Sequence, residues 1–149
     1  MEENLDYLLL IAARESNYND LIDRINQGAN INIRSENGYT PLMYSSMYGN
    51  INSVIALINL DANLNIKNDL GQTALMCAIK NGHHNIMIKL ISSNADLTIV
   101  DDNNQDAIDY YENNYDIINQ HLINLGMTNE QIINEFNNFL NIYNLNNQN

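Results

Sequence analysis

The sequence predicts an all-α fold: a solenoid of about four helix-turn-helix units joined by hairpin loops, closed by a C-terminal capping helix. Three observations predict it. NGYTPLM from Asn37 and LGQTALM from Leu70 match at Gly, Thr, Leu and Met, 33 residues apart. Ala29, Ala62 and Ala95, followed by Asn30, Asn63 and Asp96, repeat at the same spacing in another part of the unit. From Gly126 the period stops and Thr128-Asn-Glu-Gln131 forms a capping box ahead of an amphipathic segment. Many matches at one period, in separate parts of the unit, mark a reused folding unit rather than a chance echo.

The elements follow in chain order. The first unit, about residues 5–36, carries Leu9, the small pair Ala12-Ala13 and the turn Gln27-Gly-Ala-Asn-Ile-Asn32. In the second, 37–69, the Thr40 hydroxyl suits the free N–H groups at a helix start. Pro41 follows where its missing N–H costs nothing. The helix through Met43–Tyr48 stops at Gly49, and Ile51, Val54, Ile55, Leu57 and Ile58 form the apolar stripe of a second helix. Leu60-Asp-Ala-Asn-Leu-Asn65 is a turn, and Lys67-Asn-Asp-Leu-Gly71 returns the chain to the next cap, Thr73.

The third unit, 70–102, repeats this order through Gly82, and a fourth spans 103–125 from near Asn104. Leu57, Leu90 and Ile123 are expected in one register, and Ser45-Ser46 allows first helices to stack closely. No unit buries its apolar face alone, so each depends on its neighbours. In the last segment, 126–149, Ile132, Ile133, Phe136, Phe139, Leu140 and Tyr143 lie on one helical face, and the tail after Leu145 is expected to fray. That helix reads as a lid on the last unit, with partner binding or self-association as the alternative.

The pattern resembles the ankyrin repeat over roughly residues 5–125. The residues that carry the resemblance are Gly38, Thr40-Pro41-Leu42, Gly49-Asn50 and Leu60–Asn65, then Gly71, Thr73-Ala74-Leu75, Gly82-His83 and Ser93–Thr98. Asp106-Ala-Ile-Asp-Tyr110 is similar to the Thr-Ala-Leu-Asp form of terminal repeats. Departures are Met43 and Met76 at the family's helix histidine, which removes its hydrogen bond to the capping Thr. The fourth unit also lacks the Gly at Asn104, the Thr at Asp106 and the Gly at Tyr115. The resemblance further implies that Asn32 and Asn65 stand where some ankyrin repeats are hydroxylated by an asparaginyl hydroxylase.

Composition narrows the function. The chain has 149 residues and a net charge of -12, from 18 acidic and 6 basic side chains. Such a charge repels phosphate backbones and anionic lipid, which excludes nucleic acid and membrane surfaces and leaves a basic or partly apolar protein partner. One cysteine, Cys77, permits no intramolecular disulfide and no thiol zinc set. The start, Met-Glu-Glu-Asn, lacks the basic region of a secretory signal, so a reducing, cytoplasmic setting is expected.

Catalytic chemistry is scarce. Cys77 reads as a core position. His83 and His84 follow a helix-ending glycine, out of reach for thiol activation and too few for a metal. His83 matches the family's Gly-His turn, where the ring satisfies loop backbone groups. Asp101, Asp102, Asp106 and Asp109 lack the pattern of a calcium loop and read as solvated loop acids. The expectation is therefore a non-enzymatic, monomeric binding module without cofactors. A structural protein that self-associates through the C-terminal helix is the alternative.

By the resemblance, partners meet the concave face of hairpin tips and first-helix ends. The tips are Arg34, Glu36, Asn37 and Tyr39; Lys67, Asp69, Leu70 and Gln72; and Val100, Asp102, Asn103 and Gln105. The helix positions are Arg14 and Glu15, Met47 and Tyr48, Lys80 and Asn81, and Asn113 and Asn114. This face is expected to be acidic and partly aromatic, with Tyr39, Met47, Tyr48 and Leu70 as its anchors.

Overall fold

Capping residues and left-handed turns divide the chain into short helices. The computed structural model describes residues 4–146; the side chains of Asn129, Ile132, Ile133, Phe136 and Asn146 also lie outside the described residues. The helix pairs are α1 (Leu5–Arg14) with α2 (Tyr18–Asn26), α3 (Pro41–Met47) with α4 (Ile51–Asn59), α5 (Ala74–Lys80) with α6 (His84–Ser92), and α7 (Ala107–Asn113) with α8 (Tyr115–Asn124). A longer helix, α9 (Asn129–Asn146), follows, and there is no strand among the described residues.

First helices stack in the order α1, α3, α5, α7, and second helices in the order α2, α4, α6, α8. Ala12, Ala13, Ser45, Ser46 and Ala78 are buried where the first helices meet, so short side chains set the close approach. Leu9, Leu42 and Leu75 from the first helices meet Leu21, Leu57 and Leu90 from the second in one continuous core.

The methionines at the family's histidine position keep a cap. Thr40 Oγ1 and Thr73 Oγ1 accept from the N–H groups of Met43 and Met76. In return Met43 Sδ and Met76 Sδ accept weakly from the Thr40 and Thr73 N–H groups, at 3.4 and 3.5 Å. The histidine hydrogen bond is thus replaced by a thioether contact rather than simply lost. In the fourth unit Asp106 does the work of threonine: its Oδ1 accepts from the Ile108 and Asp109 N–H groups, and Asp109 Oδ2 accepts from the Asp106 N–H. Asn104 replaces glycine at φ 60°, a region that asparagine tolerates.

Asparagine also joins the units. Asn32 Oδ1 and Asn65 Oδ1 accept from the N–H groups of Asn63 and Asp96 in the following unit. Asn17 and Asn50 cap α2 and α4.

The register of the fourth unit departs from expectation. Leu122 is fully buried and Ile123 is 48 % exposed, so Leu122 takes the place of Leu57 and Leu90. The cause is a shortened turn. Three residues separate α3 from α4 and α5 from α6, but only Asn114 separates α7 from α8. The left-handed residue after the second helix shifts with it, from Asp61 and Asn94 to Gly126.

Helix α9 packs on α8 and reaches α7. Phe139 is 1 % exposed and stacks on the Tyr111 ring at a centroid distance of 4.8 Å. Tyr143 donates from its hydroxyl to Asp106 Oδ2 at 2.6 Å, and Glu135 lies 3.9 Å from His84 Nε2. Burial lowers the pKa of His84. Of the apolar face expected here, Ile132, Ile133 and Phe136 lie outside the described residues, as does the tail at 147–149.

Candidate functional site

Each hairpin is closed by a short polar residue at one register: Ser35, Asn68 and Asp101. Their N–H groups donate to the carbonyls of Tyr39, Gln72 and Gln105, and their side chains accept from the N–H groups of the same residues. Successive tips are tied by the Asp69 N–H to Asn37 O at 3.2 Å and the Asp102 N–H to Leu70 O at 3.1 Å. An exposed Arg34–Asp69 ion pair at 3.0 Å joins the first two tips. The hairpins therefore form a continuous ledge beside the first helices.

On this ledge Arg34, Glu36, Lys67, Asp69, Leu70 and Asp102 are exposed, as are Tyr48, Lys80 and Asn81 at the helix ends. Tyr39 and Met47 are half-buried. Asn81 has a structural duty, because its Nδ2 donates to Cys77 O at the end of α5.

Two expectations are corrected. Gln72, expected at an exposed tip, is 7 % exposed. Its Nε2 donates to the Tyr110 hydroxyl at 2.7 Å, and its Oε1 accepts from Asn68 Nδ2. Asp101, expected as a solvated acid, is 5 % exposed and accepts from the Asn103 and Gln105 N–H groups and the Tyr110 hydroxyl. Burial alone would raise its pKa; the hydrogen bonds from Gln105, Tyr110 and Asn103 outweigh that and hold it below the ordinary value. Burial pushes the Tyr110 hydroxyl up to about 12.

Two clefts lie between ledge and first helices. One, of about 260 Å³, is lined by Tyr7, Leu10, Ile11 and Arg14 of α1 with Glu36 and Tyr44 of the second unit. The other, of about 380 Å³, is lined by Leu70, Lys80, Asp102 and Tyr110 among others. Across the second unit the rings of Tyr39, Tyr44 and Tyr48 form a stack, with centroids 5.2 and 6.5 Å apart and interplanar angles of 22° and 8°. Tyr44 is the member that sequence reasoning missed; the four-residue spacing of Tyr44 and Tyr48, one helical turn, was the available signal. The face carries both signs of charge. Arg14, Arg34, Lys67 and Lys80 stand there against Glu15, Glu36, Asp69, Asp102 and the Asp101 carboxylate of the second cleft, so most of the acid excess lies elsewhere.

Other chemistry is accounted for by structure. Cys77 is buried, and burial pushes its thiol up to about 12, far from a reactive thiolate. The His83 ring lies within 3.0 Å of Met47 O, bridging units. Among the described residues no group of three His, Cys, Asp or Glu could hold a metal, and no helix is long and apolar enough to cross a membrane.

No curated protein matches the chain. A family model for ankyrin repeats, with three copies, matches residues 9–101, from α1 to the Asp101 hairpin. That match spans more than half of the residues and agrees with the stacked helix pairs and hairpin ledge. The chain belongs to the ankyrin-repeat family.

Proposed function

We propose that the protein is a non-enzymatic binding module that holds a partner protein or peptide on its hairpin-and-first-helix face. Ankyrin repeats are generally protein–protein interaction modules. The observation that carries the reading is the set of side chains on this face that the fold does not consume. Tyr48 is 50 % exposed and stacks on Tyr44 of the first cleft, and Leu70, 56 % exposed, lines the second; both clefts offer both charges. Tyrosine is favoured at the core of interfaces, and an exposed leucine on a polar rim adds apolar contact. The excess negative charge outside the face eases the approach of a basic partner, and the face itself suits an apolar anchor. The reading includes a monomer in a reducing, cytoplasmic setting, where a buried lone thiol stays free.

The test compares partner capture by the full chain and by a Tyr48→Ala/Leu70→Ala variant, both side chains being exposed enough to remove without touching the core. Tyr39 is kept because its half-buried ring stacks on Tyr44. Loss of the captured partner with the variant is the expected result. A partner held equally by both chains removes this face from consideration.

A further inference from the structure

The tyrosine stack has a geometry that the fold does not require. Its rings are nearly parallel, they run from the hairpin (Tyr39) through α3 (Tyr44) to its C-terminal end (Tyr48), and the last is half-exposed. Tyr44 also forms one wall of the cleft with Tyr7 and Ile11, and Tyr7 is 60 % exposed. Four of the nine tyrosines thus gather on one face of the first two units. Core packing accounts for Tyr39, which is half-buried against the hydrophobic core, but it leaves Tyr7 and Tyr48 facing water.

Around these rings the Tyr7 and Tyr48 hydroxyls, the Asn37 amide and the Arg14 guanidinium can each donate, and the hydroxyls and the amide also accept. Arg14 has no ion pair within 4.0 Å among the described residues. Glu36 lines the same cleft as the one carboxylate. A ligand suited to these groups offers apolar ridges to the exposed rings of Tyr7 and Tyr48, carbonyl acceptors to the donors, and a cation to Glu36.

We propose that this face, read above as the partner surface, takes a proline-rich segment in the polyproline II conformation with a flanking Lys or Arg. Such a segment has pyrrolidine rings that pack on aromatic faces, free backbone carbonyls, and few N–H groups. Its turn is about 9 Å long, longer than either ring spacing in the stack, so one turn spans two neighbouring rings. The preformed extended helix loses little entropy on docking, which suits a small patch. Arg14 then donates to carbonyls, and Glu36 pairs with the flanking cation, the sign that a chain of net charge -12 draws in.

The experiment is selection from a random peptide library displayed on phage, with the full wild-type chain as bait. Binding of the enriched peptides is then measured on wild type, Tyr44→Ala, Tyr48→Ala and Glu36→Arg. Helical circular dichroism checks each variant, and the exposed Tyr48 serves if Tyr44→Ala does not fold. Expected are peptides with two prolines within four residues and a Lys or Arg beside them. The tyrosine substitutions should weaken them about tenfold or more, and Glu36→Arg should turn the flanking preference from basic to acidic. Enriched peptides that depend on Tyr44 and Tyr48 but lack proline overturn this proposal and leave the binding module standing. Failure to enrich any peptide overturns this proposal and leaves the binding module standing, whereas peptides indifferent to every substitution on the face overturn the face in both readings.

Discussion

Gln72 Nε2 donates to the Tyr110 hydroxyl at 2.7 Å, and that hydroxyl donates onward to Asp101 Oδ2 at 2.9 Å. The chain of bonds crosses from the hairpin that opens the third unit to the first helix of the fourth. It lies where coupling between neighbouring units decides the stability of a repeat array. All three side chains are buried, so each bond lost leaves a desolvated polar atom behind.

Tyr110→Phe keeps the ring and removes the relay. The Gln72 amide and the Asp101 carboxylate each lose a partner, and the expected cost is about 1–3 kcal/mol. Urea unfolding of the full chain measures it. Adding Gln72→Met, which deletes the orphaned donor but also the acceptor of Asn68 Nδ2, should cost less in the Tyr110→Phe background than in the wild type. Strict additivity of the two substitutions would mean that the residues do not communicate.

The Asp101 carboxyl predicts an acid limb. Its folded pKa lies below the ordinary value. The folded state therefore binds this proton less readily than the unfolded chain does, and the stabilisation is complete above about pH 4. It is lost as pH falls through the depressed folded value. Asp101→Asn retains a carbonyl for the hairpin N–H groups, as Asn68 does for Leu70 and Gln72. The stability gap between wild type and this variant should be constant from pH 7 to pH 5 and shrink below pH 4. A gap that persists unchanged to pH 3 excludes the ionised carboxylate as its source.

The period of 33 residues made most of the fold legible, because each cap, turn and apolar stripe recurs at fixed places in a unit. Legibility failed where a residue's role depends on the neighbouring unit. Gln72 shares a register with half-buried Tyr39, which points to a tip. What buries it is Tyr110 across the unit boundary, beside Cys77, which stands where the second unit has Tyr44. By its charge alone Asp101 reads as a solvated acid, although Ser35 and Asn68 at its register point to a hairpin acceptor. The period points to Ile123, but the α7–α8 turn is shortened and the buried position falls one residue earlier, at Leu122. In the candidate site the individual tips were legible, and the tyrosine stack was not, because it joins a hairpin to a helix.

Gly49 tests the contact between units from the backbone side. It sits at φ 76°, and a Cβ there would come within 2.7 Å of His83 Cε1. The same ring holds Met47 O, so it has little freedom to retreat. Gly49→Ala should cost about 1–2 kcal/mol from the left-handed backbone alone, and more from the displaced ring. In a double-mutant cycle His83→Ala should remove the steric part and leave the backbone part. Equal costs with and without the His83 ring would show that the ring gives way freely.

Helix α9 can be tested as lid against association element. Phe139 is buried against Tyr111, and Tyr143 is bonded to Asp106, so the described anchors of α9 are spent within the chain. Phe139→Ala should cost up to about 3–5 kcal/mol. Truncation after Leu125 uncovers Tyr111, so amide exchange should accelerate first in α7 and α8 and hardly at all in α3 and α5, since outer units fray before inner ones. Light scattering should find the full chain monomeric. Unchanged exchange in α7 and α8 after truncation would remove the lid. A full-length dimer that becomes monomeric on truncation would instead assign α9 to pairing between chains, with Phe139 and Tyr143 engaged only in part at any one time.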